Sequence, residues 1–140
     1  MALISHFGSK SRLVGLLTNF LPAHATVLVS PFMGGGALEY AVAANCPNIE
    51  QVLGFDNLRP LVVYHQQLLQ NATRLRTEIQ SLGLDRPLPN NASFEHLLEL
   101  LGSRSRSLTP VQQAAIVFAL GNNCYSGNLG RTQGKAGSGP

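Results

Sequence analysis

The first part of the chain alternates between helix-like and strand-like patterns of apolar residues. Apolar residues recur at helical spacing over 13–20, which predicts a first helix that Pro22 ends. Residues 26–30 are apolar and β-branched and predict a short buried strand. Three glycines at 34–36 separate this strand from a second helical pattern over 37–44.

A second strand and a long helix follow. The strand is predicted over 51–55 and ends at Asp56, and the helix runs from about 58 to 82, where Gly83 stops it. Its apolar stripe consists of Leu58, Leu61, Val62, Leu68, Leu69, Leu75, Ile79 and Leu82. Strands that alternate with helices favour a parallel sheet of the doubly wound type.

Beyond residue 84 the pattern changes from strands and helices to short helices and loops. Residues 85–91 are loop, and the glycine-rich residues 122–140 show no core pattern. We therefore expect a cofactor-binding α/β part over 1–84. A small helical subdomain with a glycine-rich tail is expected over 85–140.

Two helices are predicted in this second part. Ser93 is the expected cap of a short helix that reaches Leu101. Residues 109–112 combine a threonine cap, a proline at the first helical position and a glutamine at the third, which predicts a well-defined helix start. This last helix is expected to run to about Leu120 and to end at Gly121.

Composition narrows the class of protein. The hydrophobic fraction of 44% supports a core, and no apolar run is long enough for a membrane span or a secretion signal. A formal charge of +3 permits an acidic partner such as nucleic acid without requiring one. The two distant cysteines favour free thiols, and no residues stand at metal-ligand spacing, so we expect a cytoplasmic protein without a metal site. The oligomeric state stays open, with a monomer as the simplest case.

The most informative cluster is residues 31–36, between the first strand and the next helix. Glycine has no Cβ and tolerates positive φ, so the backbone can approach a ligand there, and the helix start offers N–H groups. Asp56 stands 20 residues after Gly36, at the end of the next strand, where an acid can accept hydrogen bonds from ribose hydroxyls. The alternative is a tight turn with an acid that caps the following helix, which explains the combined spacing less well.

Glu39 bears on the kind of ligand. It occupies the sixth position of the usual dinucleotide fingerprint, where a pyrophosphate would be repelled. An adenosine ligand without phosphate fits better, and S-adenosylmethionine is one. A nucleotide-dependent oxidoreductase with a Rossmann core is the weaker alternative.

Four segments resemble motifs of the DNA adenine methylase family (Dam-like adenine-specific DNA methyltransferases), in that family's order. They are Phe7-Gly8-Ser9-Lys10-Ser11-Arg12-Leu13, Ser30-Pro31-Phe32-Met33-Gly34-Gly35-Gly36, Gly54-Phe55-Asp56-Asn57, and residues 114–120 with Asn122-Asn123-Cys124-Tyr125-Ser126-Gly127. The resemblance implies a Rossmann-like S-adenosylmethionine-dependent fold and double-stranded DNA as partner. The implied reaction is methyl transfer to the exocyclic amine of adenine, as in restriction-modification systems.

The resemblance also assigns roles to residues. The implied cofactor-binding residues are Lys10, near the methionine portion, Pro31, Phe32, Gly34, Gly35 and Gly36 around the cofactor, and Asp56 at the ribose. The fourth segment resembles the start of the family's target-recognition region, so the resemblance implies that residues 85–140 begin a helical target-recognition subdomain. The implied DNA-binding residues are Asn122, Tyr125, Ser126 and Arg131. One departure concerns Ser30, because the family usually has an acidic residue before the Pro-Phe pair.

A second departure concerns catalysis. The family carries an Asp-Pro-Pro-Tyr tetrapeptide that holds the target adenine, and the printed sequence has none. We therefore assign no catalytic residue and expect an incomplete fold, an amino-terminal fragment whose catalytic half is missing. A catalytically inactive module that binds the cofactor or DNA is the alternative.

Overall fold

The computed structural model describes residues 12–123. In chain order they form α1 (Val14–Thr18), β1 (Val27–Ser30), α2 (Ala37–Asn45), β2 (Gln51–Gly54), α3 (Arg59–Ser81), α4 (Asn91–Gly102) and α5 (Pro110–Asn123), with a short 3-10 helix at Ser105–Ser107. The chain divides into two compact units, of which the first ends at Asn57 and the second begins at Leu58. Within the described range, no helix is both long and apolar enough to cross a membrane.

The two strands of the first unit pair in parallel, as predicted. The register runs from Val27 opposite Gln51 to Ser30 opposite Gly54. Backbone hydrogen bonding continues past the strand ends, because the N–H of Phe55 donates to the oxygen of Ser30 at 2.8 Å and the N–H of Met33 to the oxygen of Phe55 at 2.8 Å. This brings the turn after β1 beside the residue that follows β2. Mixed helices and a parallel pair agree with the predicted α/β class.

The predicted burial of β1 is wrong, although its position is right. Val27 is 45% exposed and Val29 is 55% exposed. Alternate residues of a strand face opposite sides of the sheet, and the side with the two valines is open to solvent.

The first helix is shorter than predicted. It ends at Thr18, where the side-chain hydroxyl donates back to the oxygen of Val14 at 3.0 Å. The next N–H groups, from Asn19 to Leu21, bond three residues back, which is the tighter 3-10 pattern. The apolar residues therefore continue at helical spacing to residue 20, although the α-helix ends at Thr18.

The turn between β1 and α2 requires glycine. Gly34 has φ of 55° and Gly36 has φ of 74°, a backbone conformation that side chains disfavour. A Cβ on Gly36 would also lie 2.6 Å from Cε2 of Tyr40. A Cβ on Gly54, across the sheet edge, would overlap Sδ of Met33. Larger residues at Gly36 and Gly54 would require the Tyr40 and Met33 side chains to move.

The long helix α3 is interrupted at Asn71, which has non-helical φ of −143° and ψ of 44°. The predicted apolar stripe is only partly buried. Leu69, before the interruption, is 70% exposed, and Leu82, the residue after the helix, is 47% exposed. The buried residues of α3 are Leu61, Tyr64, His65, Leu75 and Ile79.

The end of α3 follows its prediction. Gly83 has φ of 67° and donates its N–H to the oxygen of Gln80 at 3.0 Å. Leu84 donates to the oxygen of Ile79 at 2.9 Å, and the side chains of both residues are buried. This is the Schellman arrangement that glycine permits at a helix end.

Helix α5 is the core of the second unit and packs against α3 and α4. The predicted end at Gly121 is wrong, because Gly121 is buried inside the helix, which continues to Asn123. Asn123 supports this last turn, since its Nδ2 donates to the oxygen of Ala119 and its Oδ1 accepts from the N–H of Leu88, both at 2.8 Å.

Of the two helix starts predicted in the second unit, one has the predicted capping residue and the other does not. The predicted start of α5 is confirmed: the N–H of Gln112 donates to Oγ1 of Thr109 at 3.3 Å, and the N–H of Thr109 donates to Oε1 of Gln112 at 3.1 Å. The predicted cap of α4 is wrong. Asn90 caps this helix by accepting from the N–H of Ser93 at 2.9 Å, because an amide oxygen three residues upstream reaches that group.

We expect Thr109→Ala to lower the free energy of unfolding by about 1 kcal/mol, because it removes the side chain that caps α5. Thr109→Ser is the matched control, since it keeps the hydroxyl and should stay within a few tenths of a kcal/mol of the parent chain. Urea denaturation followed by circular dichroism measures both. Equal losses in the two variants would show that the cap hydroxyl contributes nothing.

We expect Gly36→Ala to destabilise the first unit by about 1–3 kcal/mol, because the new Cβ meets both positive φ and the Tyr40 ring. Gly15→Ala is the matched control in the same unit, where a Cβ has nothing within 4 Å and lies inside α1. The control should be neutral or more stable by up to about 1 kcal/mol. Urea denaturation of both variants tests the difference, and a Gly36→Ala chain as stable as the control would contradict it.

Candidate functional site

The carboxyl ends of β1 and β2 lie at the same edge of the sheet because the strands are parallel. We call residues 30–36, 39 and 54–56 at this edge the strand-end cluster. Here the N–H of Gly34 donates to Oδ2 of Asp56 at 2.9 Å. The structure thus brings together Gly34 and Asp56, two predicted cofactor-binding residues that are 22 positions apart in the sequence.

The hydrogen bonds of the glycine turn change one expectation from the sequence. The N–H groups at this helix start were expected to be available for a ligand. Two N–H groups of the turn before the helix are already used, because Gly34 donates to Asp56 and the N–H of Gly36 donates to the oxygen of Met33 at 3.0 Å. The Asp56 carboxylate therefore anchors the glycine turn through one backbone N–H.

Asp56 keeps the chemistry that a ribose requires. A carboxylate accepts up to about four hydrogen bonds, so the bond to Gly34 does not by itself prevent contact with ribose hydroxyls. The side chain is half-buried. The Gly34 bond also fixes where the carboxylate points, which reduces the conformational entropy lost when a ligand binds.

Two phenylalanines of the strand-end cluster expose their rings. Phe32 is 73% exposed and Phe55 is 56% exposed. Exposed aromatic rings offer flat apolar faces to a planar base. Phe55 was not among the predicted site residues, although it stands directly before Asp56. Gly35 and Gly36 are buried, so the turn presents little of their surface.

Glu39 lies at this edge of the sheet but was not among the site residues predicted from the sequence. It lies in the first turn of α2 with 2% of its surface exposed, and its Oε1 accepts a hydrogen bond from the hydroxyl of Ser30. Its other oxygen, Oε2, is buried and has no hydrogen-bond partner within residues 12–123. In the sequence, the one signal for its burial was an acidic residue inside the otherwise apolar pattern of α2. Burial, followed by the charge of Glu39, raises the pKa of the neighbouring Tyr40 to about 12.

The remaining predicted site residues lie elsewhere. Asn122 is exposed near the end of α5, in the second unit. Lys10, Tyr125, Ser126 and Arg131 fall outside the described residues. Among residues 12–123, no three histidine, cysteine, aspartate or glutamate side chains come together as a metal site.

Comparison with known proteins supports the resemblance of the motifs. A search of curated proteins found no match to this chain. The model of the D12 class N6 adenine-specific DNA methyltransferase family matches residues 6–137, which is nearly the whole chain and contains all four motif segments. The match confirms the family that the motifs indicated, and the chain therefore belongs to the D12 class N6 adenine-specific DNA methyltransferases.

Proposed function

We propose that this chain forms the S-adenosylmethionine-binding part of an enzyme that methylates the exocyclic amine of adenine in double-stranded DNA. Membership of the family supports the reaction class. The observation that supports the cofactor is the hydrogen bond from Gly34 to Asp56, because it joins the glycine turn and the ribose-type acid at one sheet edge. The proposed fold of the whole domain is the Rossmann-like methyltransferase fold, of which β1, α2 and β2 are one unit.

The residues of the strand-end cluster fit the adenosine portion of the cofactor. We expect Asp56 to accept from ribose hydroxyls and the exposed rings of Phe32 and Phe55 to contact the adenine. Glu39 stands at the sixth position of the dinucleotide fingerprint, where pyrophosphate sites have glycine or alanine. This favours S-adenosylmethionine over a nicotinamide dinucleotide, and hence a methyltransferase over an oxidoreductase.

The cofactor and the chain make different contributions to the proposed reaction. Bound S-adenosylmethionine supplies a methyl group on a sulfonium, which an amine nitrogen can attack. The described residues bind and orient this donor, and alignment of donor and acceptor is a large part of the rate enhancement in such transfers. We assign none of residues 12–123 to the reacting amine.

The proposed DNA contacts lie at and beyond the end of α5. Asn122 has an exposed side chain there, and its amide can hydrogen-bond to a base edge or to a phosphate. Tyr125, Ser126 and Arg131 belong to the same proposed surface by the family motif. An aromatic side chain and an arginine suit the vicinity of a base that is turned out of the duplex.

Calorimetric titration with S-adenosylhomocysteine tests the cofactor site. We expect Asp56→Ala to weaken binding at least tenfold, because it removes both the ribose acceptor and the anchor of the glycine turn. Asp56→Asn should lose less, since its amide oxygen can still accept from Gly34. Glu50→Gln, an exposed acid of the same unit, is the matched control and should leave the dissociation constant unchanged.

Two results of this titration would contradict the proposal. One is an absence of binding by a parent chain whose circular dichroism shows that it is folded. The other is displacement of S-adenosylhomocysteine by NAD at comparable concentration, which would favour the oxidoreductase alternative.

A further inference from the structure

Glu39 of the strand-end cluster has a buried carboxylate oxygen that the adenosine site does not use. The residue is 2% exposed, Oε1 accepts from the Ser30 hydroxyl, and Oε2 lacks a hydrogen-bond partner among the described residues. Buried polar atoms in native proteins are nearly always satisfied. An exception at a ligand-binding turn therefore requires a physical explanation.

Helix capping does not explain the position of Glu39. In a capping box, a glutamate at the third helical position accepts from the N–H of the capping residue. Here the cap is Gly36, and its N–H donates to the oxygen of Met33 instead. The helix dipole favours an acid in the first turn by only about 0.3–1 kcal/mol. This is smaller than the several kcal/mol that burial of a charged group costs.

The chemistry of Oε2 defines the missing partner. A carboxylate oxygen accepts hydrogen bonds, so the partner must be a donor, and positive charge on that donor would offset the burial of the carboxylate. S-adenosylmethionine has two cationic groups. The sulfonium has no hydrogen to donate, whereas the α-ammonium has three, and the cofactor's own carboxylate would be repelled.

We propose that Glu39, supported by Ser30, binds the α-ammonium group of the methionine portion of the cofactor. This inference rests on the proposed function, because it needs an S-adenosyl ligand at the strand-end cluster. The Ser30 hydroxyl holds one oxygen of Glu39 at the end of β1, which leaves the other oxygen for the ligand. Since Oε2 is covered in the present structure, binding must include a local movement that uncovers it.

Three ligands distinguish the contribution of the ammonium group to binding from that of the rest of the cofactor. S-adenosylhomocysteine has both the amine and the carboxylate, its decarboxylated analogue keeps only the amine, and 5′-methylthioadenosine has neither. We expect Glu39→Gln to weaken binding of the first two about tenfold, the effect of losing one charge-assisted hydrogen bond. Binding of 5′-methylthioadenosine should be unchanged, because the adenosine contacts do not involve Glu39.

A second variant tells ligand binding apart from a structural role. Ser30→Asp combined with Glu39→Gln moves the carboxylate to the neighbouring position and should restore the preference for amine-bearing ligands. Glu50→Gln is again the control. A structural role alone would lower the unfolding temperature of Glu39→Gln and weaken all three ligands equally.

The outcomes separate this inference from the proposed function. If the parent chain binds all three ligands and Glu39→Gln does not change their ratio, the ammonium site is wrong while the cofactor site stands. If the folded parent chain binds none of them, both are wrong. If Glu39→Gln weakens binding of the amine-bearing ligands alone, both the cofactor site and the ammonium site are supported.

Discussion

The hydrogen bond from Gly34 to Asp56 is the interaction on which the strand-end cluster depends. It forms only because β1 and β2 are parallel and their register places Ser30 opposite Gly54. The crossover through α2 makes that pairing possible, since parallel strands need a connection that returns the chain to the same end of the sheet. A shift of one residue in either strand would move Asp56 away from the turn. Backbone pairing thus fixes the position of a side chain.

Small residues allow this pairing to continue past the strands. Gly54 leaves room for the Met33 side chain, and Gly36 leaves room for the Tyr40 ring. With these side chains in place, the backbone of Met33 reaches the oxygen of Phe55 at 2.8 Å. The glycines at this edge therefore serve packing within the chain as well as approach to a ligand. The Tyr40 ring lies against Gly36, which is buried.

Features that depend on a few neighbouring residues could be predicted from the sequence. The capping box at Thr109 and the helix end at Gly83 involve groups within six positions of each other. The glycine turn and the two strands were also placed correctly. Features that depend on distant packing could not be predicted. Apolar spacing does not reveal the irregular backbone at Asn71, the exposure of β1, or the hydrogen bond between Ser30 and Glu39.

The charges of the strand-end cluster connect the fold to the family. Two carboxylates act on one short segment, because Asp56 bonds to Gly34 and Glu39 bonds to Ser30, four residues earlier. Carboxylates accept hydrogen bonds from hydroxyl and ammonium donors. Both carboxylates thus suit a ligand that carries hydroxyl and ammonium groups, which is the chemistry of the cofactor proposed above.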